Sequence, residues 1–208
     1  MIIYIELPAG VLAGLNHIAP KKDVREQIRG VRIAQSKDGR TIAESTDGRC
    51  LMRVLVYAKM EKDVSFTIHR DAIDALKISV KDHEKPVVVG YDLESKTVTL
   101  AYNGLRGESE AIDLQYPDTD RVIPLGKPSG VLAQFNPEIL MTLNKAVKIM
   151  TGLKNPVGVI AYNGHAGARV FYENLNVVAV AMPFRAHDPL TEDGELPEVS
   201  WSDRATRG

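Results

Sequence analysis

The residues with chemical potential are few, and their spacing argues against catalysis. Five histidines (His17, His69, His83, His165 and His187) show neither metal-ligand spacing nor a nucleophile beside them. The stretch Asn163-Gly164-His165-Ala166-Gly167 is glycine-rich but lacks the Lys-Ser/Thr of a phosphate loop, so it reads as a hairpin. Asp118 and Asp120 could act as paired carboxylates, yet they sit in a proline-containing connector where turn chemistry is the stronger reading. Cys50 is the single cysteine; it can form neither an internal disulfide nor a zinc site, and nothing beside it would lower its pKa. The inventory therefore predicts a non-enzyme with no cofactor and no metal. What remains is the chemistry of binding, which depends on the elements that carry it.

Those elements recur. Three stretches share one order of short apolar strand, turn, amphipathic helix and several further strands, a β-α-β-β-β module. The first opens with Ile5-Glu6-Leu7-Pro8 and sets Val11, Leu12 and Leu15 on one helical face. The second opens with Phe66-Thr67-Ile68 and uses Ala72, Ile73 and Leu76. The third opens with Phe135-Asn136-Pro137 and uses Ile139, Leu140, Leu143, Val147 and Met150. Leu7, Ile68 and Phe135 hold the same place in each, at separations of 61 and 67 residues. In the third helix Asn136 suits the N-cap, Pro137 the first helical position and Gly152 the stop.

Strand-like runs follow each helix: 30–35 and 40–44, then 86–90 and 97–102, then 157–162 and 168–172. Turn signals at Lys37-Asp38-Gly39, Asp47-Gly48, Asn103-Gly104 and Asn163-Gly164 separate them. The expected class is α+β. A lone module leaves an apolar sheet face bare, so modules should pair, and three is an odd number.

Composition sets the outer bounds. In 208 residues, 44% hydrophobic and 25% charged residues exclude wholesale disorder and fibrous classes. The longest apolar run, 177–182, is far short of the about 20 residues of a membrane span. Met1–Glu6 lacks the basic start of a secretory signal, and the lone cysteine suits a reducing compartment, so a cytoplasmic location is expected. Net charge is −1 but uneven: from His187 onward six acids and two bases sum to −4, leaving 24 − 21 = +3 on residues 1–186. The acidic segment 187–208, with Pro189, Gly194 and Pro197, reads as a flexible or peripheral tail in which Trp201 is the one large apolar group.

Five motifs in fixed order, Leu7-Pro8, Asp23-Val24-Arg25, Thr46-Asp47-Gly48-Arg49-Cys50-Leu51, Tyr116 to Pro124 and Met182-Pro183-Phe184-Arg185, resemble the bacterial DNA polymerase III β sliding clamp family. The resemblance covers residues 1 to about 186. It implies a DNA-clamp-like fold of one and a half clamp domains: 1–124 as a complete two-module domain similar to the family's middle domain, and 125–186 as a half domain similar to the end of its last. It also implies a hydrophobic cleft that takes short peptides of polymerases or repair proteins. Position by position that wall would be Ile28, Thr46, Gly48, Arg49, Leu51, Pro117, Arg121, Val122, Met182, Pro183, Phe184 and Arg185. The residue types suit peptide capture, since Leu51, Val122, Met182, Pro183 and Phe184 can bury an anchor, and Arg49, Arg121 and Arg185 can hold carbonyls or a carboxylate. Cys50 stands where the family has a large basic residue, and Phe184 where it has Met.

Clamps also line a hole with helices whose cations touch phosphates without reading sequence. The candidates for non-specific duplex-DNA contact are Lys21, Lys22, Arg25 and Arg29 near the first helix and Lys145, Lys148 and Lys154 on the third. On the second helix Arg70, Lys77, Lys81 and Lys85 are offset by Asp71, Asp74, Asp82 and Glu84. The resemblance thus predicts a replication or repair processivity factor, and the odd module count predicts self-association, with the third module pairing with the third module of another chain. Four chains would supply twelve modules, the number in a family ring. The competing reading is a non-encircling adaptor or competitor that binds clamp-interaction peptides without DNA; a purely structural assembly role is the third.

Overall fold

The computed structural model describes residues 1–58, 60 and 64–184. Arg185 and the acidic segment 187–208 therefore lie outside the described residues. The first module runs β1 (Ile2–Pro8), α1 (Ala9–Ile18), β2 (Gly30–Gln35), β3 (Thr41–Thr46) and β4 (Cys50–Val56). The second runs β5 (Ser65–His69), α2 (Arg70–Ala75), β6 (Pro86–Asp92), β7 (Thr97–Tyr102) and β8 (Leu105–Glu110). The third holds α3 (Pro137–Thr151), β9 (Gly158–Ala161), β10 (Ala168–Tyr172) and β11 (Val177–Ala181). The expected strand before α3 is not formed: residues 131–136 are irregular and are held at the end of the sheet, with the Val131 carbonyl accepting from Gly164 and the Gln134 carbonyl from Phe184, rather than along a strand edge.

The strands make two antiparallel sheets, β1-β6-β7-β8 and β5-β2-β3-β4-β11-β10-β9. The first two modules exchange their opening strands. β1 pairs with β6 of the second module, Leu7 opposite Val87, and β5 pairs with β2 of the first, Ile68 opposite Val31. The exchange explains the alternation of β1, where Ile3, Ile5 and Leu7 point into the core and Tyr4 and Glu6 out. The third module joins the first through one strand pair, β4 with β11, so the expected boundary near residue 124 falls in the connector to a shared sheet.

Helix packing reinforces that junction. Gly10 and Gly14 of α1 lie against α3 so closely that a Cβ at Gly14 would stand 2.7 Å from the Ala146 carbonyl oxygen. Helix α3 itself begins as anticipated, with the Asn136 side chain accepting the Glu138 N–H at 2.9 Å and Pro137 at its first position, and it ends at Gly152. Leu12 and Leu15 of α1 and Leu143 and Val147 of α3 are buried in one core with β3, β4 and β11.

On the other face of the seven-stranded sheet lies a charged ladder. Glu44 is wholly buried; its Oε1 accepts from Arg32 at 2.9 Å, and its Oε2 accepts from Arg53 and from the Thr119 hydroxyl, both at 2.9 Å. Arg53 also reaches Asp120 at 2.8 Å, and Arg32 stacks over the Tyr116 ring. The Tyr116–Pro124 motif is thus a strap held to the sheet by a buried carboxylate, and Asp120 is drawn into ion pairs with Arg53 and Lys37 rather than paired with Asp118. Removing one member of such a network leaves buried charge uncompensated, which costs about 3–5 kcal/mol. Glu44→Ala is expected to lower the urea-unfolding free energy by about that amount; a loss under about 1 kcal/mol would show that the ladder does not hold the strap.

Candidate functional site

The turn between β3 and β4 is built by its own side chains. Asp47 Oδ1 accepts the backbone N–H of Arg49 and of Cys50, each at 2.8 Å, and Thr46 Oγ1 accepts the Gly48 N–H at 3.0 Å. Gly48 takes φ +85°, a left-handed conformation that glycine adopts without strain. Arg25 braces the turn from outside. Its guanidinium donates to both oxygens of Asp23 and to the Asp47 carbonyl, and it lies against Gly48. Hydrogen bonds from Arg25 hold the Asp23 carboxyl down to about 2.

Directly beside this turn the chain leaves β11. Ala181 is opposite Cys50, the Met182 N–H donates to the Arg49 carbonyl at 2.9 Å, and the Phe184 N–H donates to the Gln134 carbonyl at 3.1 Å. The first turn of α3 closes the third side. The result is a cleft of about 480 Å³ lined by Gly48, Arg49, Asn136, Pro137, Ile139, Met182, Pro183 and Phe184. Phe184 is about half exposed, Ile139 forms a buried apolar floor, and Arg49 is tied to Asp47 at 3.1 Å while staying open to solvent.

Of the twelve expected wall residues, the structure brings Gly48, Arg49, Met182, Pro183 and Phe184 together here. Ile28, Thr46 and Leu51 are buried beneath their neighbours, with Thr46 holding the turn and Leu51 opposite Val180, so they support the cleft without facing it. Pro117 belongs to the strap on the far face of the sheet. Arg121 is paired with Asp118 at 3.0 Å. The Val122 carbonyl packs toward Gly167 beside Met182, at the margin. Arg185 lies outside the described residues. Asn136, Pro137 and Ile139 carried a helix-start signal in the sequence, but no local pattern tied that start to the cleft. Cys50 is buried, and burial pushes its thiol far above the usual range, which makes it unreactive.

Arg49 also borders a second depression, of about 620 Å³, on the helical side. Its wall includes His17, Glu138, Met141, Lys145, Lys148, Lys154 and Asn155. Lys145 and Lys148 share the solvent face of α3, so three of the expected DNA-contacting lysines converge. Lys21 and Lys22 are exposed just beyond the end of α1, whereas Arg25 is committed to Asp23 and Arg29 is half-buried. His17 reports the local field: burial first, then Lys145, Arg70 and Lys21, lower its pKa below 6.5. Among the described residues no group of three or more His, Cys, Asp or Glu could hold a metal ion, and no helix is long and apolar enough to cross a membrane.

With this geometry the fold can be compared with known ones. No family model matches the chain, and no curated protein does. Solved structures do. The DNA polymerase III β subunit of Borrelia burgdorferi, in complex with a natural product, is similar with a TM-score of 0.66 at 15% identity. The C. crescentus β sliding clamp follows at 0.67 and 15%, and the Bartonella birtlesii sliding clamp bound to griselimycin at 0.66 and 18%. Each comparison covers 88% of this chain, which spans only 64–66% of those clamps. The fold is that of the DNA sliding clamps. More particularly, it is the α+β module architecture of the bacterial polymerase III β subunit, of which the chain spans about two thirds.

Because the fold lowers the His17 pKa, the unfolded chain takes up a proton more readily than the folded chain as pH falls through 6.5. Folding stability is therefore expected to decline as pH drops from that value, and an NMR titration should place His17 below 6.5. Lys145→Ala should move that pKa upward, and His17→Gln should flatten the pH dependence. An ordinary His17 titration would contradict both its burial and the cations beside it.

Proposed function

We propose that this chain acts as a clamp-like processivity factor in replication or repair, seating a short peptide of a polymerase or repair protein in the Gly48–Phe184 cleft. The observation that carries the reading is that cleft: an apolar notch with one arginine at its lip, assembled where two modules of a sliding-clamp fold meet. Met182, Pro183 and Ile139 offer flexible and rigid apolar surface for an aliphatic or aromatic anchor, each worth roughly 1.5–3 kcal/mol when buried. Arg49 can bind a peptide carbonyl or carboxylate with the guanidinium N–H groups that do not face Asp47. The basic depression beside it offers Lys145, Lys148 and Lys154 to phosphates, a salt-sensitive contact that permits sliding.

Encirclement of duplex DNA by this fold would take more than one copy of the chain. Retention on closed circular DNA and release on linearisation is the expected outcome, with Lys145→Glu plus Lys148→Glu shortening retention on the circle. Equal behaviour on circular and linear DNA would sink encirclement. In parallel, Met182→Ala should weaken binding of a fluorescent peptide with adjacent aliphatic and aromatic residues by about tenfold or more. Peptide binding that persists with no DNA retention at all would favour the adaptor reading instead.

A further inference from the structure

The third module is incomplete in a way the first two define. In them, each opening strand is laid on the first strand after the other module's helix: β1 on β6, and β5 on β2. By the same rule β9, the first strand after α3, should receive an opening strand, and residues 131–135 should provide one. Within the described residues neither happens. β9 ends the seven-stranded sheet with a free outer edge. Residues 131–135 instead cross the end of that sheet, where the Val131 carbonyl accepts from the Gly164 N–H, the Gln134 carbonyl accepts from the Phe184 N–H, and the Val131 N–H turns back to the Ser129 hydroxyl.

Both halves of the missing pair are apolar and bare. Val131 is 60% exposed, Leu132 76%, Val157 74% and Val159 64%. Edge strands are normally blunted by charge or proline because their open N–H and C=O groups template further pairing. β8, one edge of the other sheet, carries Arg106, Glu108 and Glu110 in that manner. β9 reads Gly-Val-Ile-Ala with no charge at all. β8 is guarded in this way, and β9 is left open to pairing.

We infer that residues 131–135 and β9 form an exchange site filled by the third module of a second copy of this chain, each copy laying its segment antiparallel on the other's β9. The module offers both an opening segment and a receiving edge, so two copies related by a two-fold axis satisfy each other, as an isologous interface requires. The register follows from the faces. Leu7 and Ile68 each lie two residues before their helix and meet an inward residue, Val87 and Val31. Phe135 lies two residues before α3, and the inward residue at the foot of β9 is Gly158, opposite buried Tyr172. Phe135 therefore sits opposite the partner's Gly158, and Gln134 opposite the partner's Val159 on the outer face. This pairing rests on the strand exchange inside the chain and stands apart from what the cleft or the lysines bind.

The test uses the full chain. Light scattering should give twice the 22.9 kDa chain mass or a multiple of that pair. Val159→Lys, at an exposed position, should halve the mass of the pair while leaving the circular dichroism unchanged. A chain carrying Gln134→Cys and Val159→Cys should give a covalent two-chain product on oxidation, with buried Cys50 taking no part, and neither single variant should match it. A monomer at every soluble concentration overturns the inference. So does a dimer that survives Val159→Lys and fails to cross-link, or one that appears only after residues 187–208 are removed. Any of these outcomes leaves peptide binding by the cleft intact, and loss of peptide binding in Met182→Ala leaves the pairing intact.

Discussion

The antiparallel pairing of β4 with β11, from Val54 opposite Val177 to Cys50 opposite Ala181, is the constraint on which the arrangement of the molecule turns. It adds the third module's three strands to the first module's sheet. It also brings α3 against α1, where Gly10 and Gly14 allow the two backbones to close. Because the pair ends at Cys50 and Ala181, the next residues on each side, Arg49 and Met182, are forced together and bonded. The cleft is the open end of a strand pair, and its depth is set by the α3 terminus that the same pairing delivers.

Electrostatics divide the sheet's two sides. The face away from the helices ties its central charges together: Glu44 is paired with two arginines and hydrogen-bonded by a hydroxyl, and that network pins the strap. The helical side leaves its cations open, and Arg49 stands between the apolar cleft and the lysine-lined depression. A net charge of −1 conceals this separation, since the acidic segment 187–208 offsets the basic remainder. This separation is what the proposed function requires, a partner held at one place and a phosphate backbone beside it.

Much of the fold was legible because local signals and global pairing agree. The repeated helix and strand order, the Asn136 cap and the turns at Gly48 and Gly164 all follow from propensities that the tertiary structure leaves undisturbed. The strand expected at Phe135 did not form, since a strand is a property of a pair and residues 131–136 run past the end of the sheet instead of along the edge of β9. The cleft was half legible. Gly48, Arg49 and Met182 to Phe184 could be named from motifs, whereas Ile28, Thr46 and Leu51 looked equally apolar or small but are spent in the interior. Asn136, Pro137 and Ile139 reach the cleft only through the long-range packing of α3, which no local pattern records. Arg25 was a candidate for DNA contact, and its ion pair with Asp23 makes it a brace of the turn instead.

Hydrogen exchange of the backbone amides across β4 and β11 is the most direct measurement, because every later feature presupposes that those strands are paired. Slow exchange at the bonded positions from Leu51 to Val54 and from Val178 to Ala181, comparable with the amides shared by β2 and β3, is the predicted result, with the Met182 amide protected by Arg49. Rapid exchange along β11 while β2 and β3 remain protected would show the third module undocked from the first, and the cleft with it.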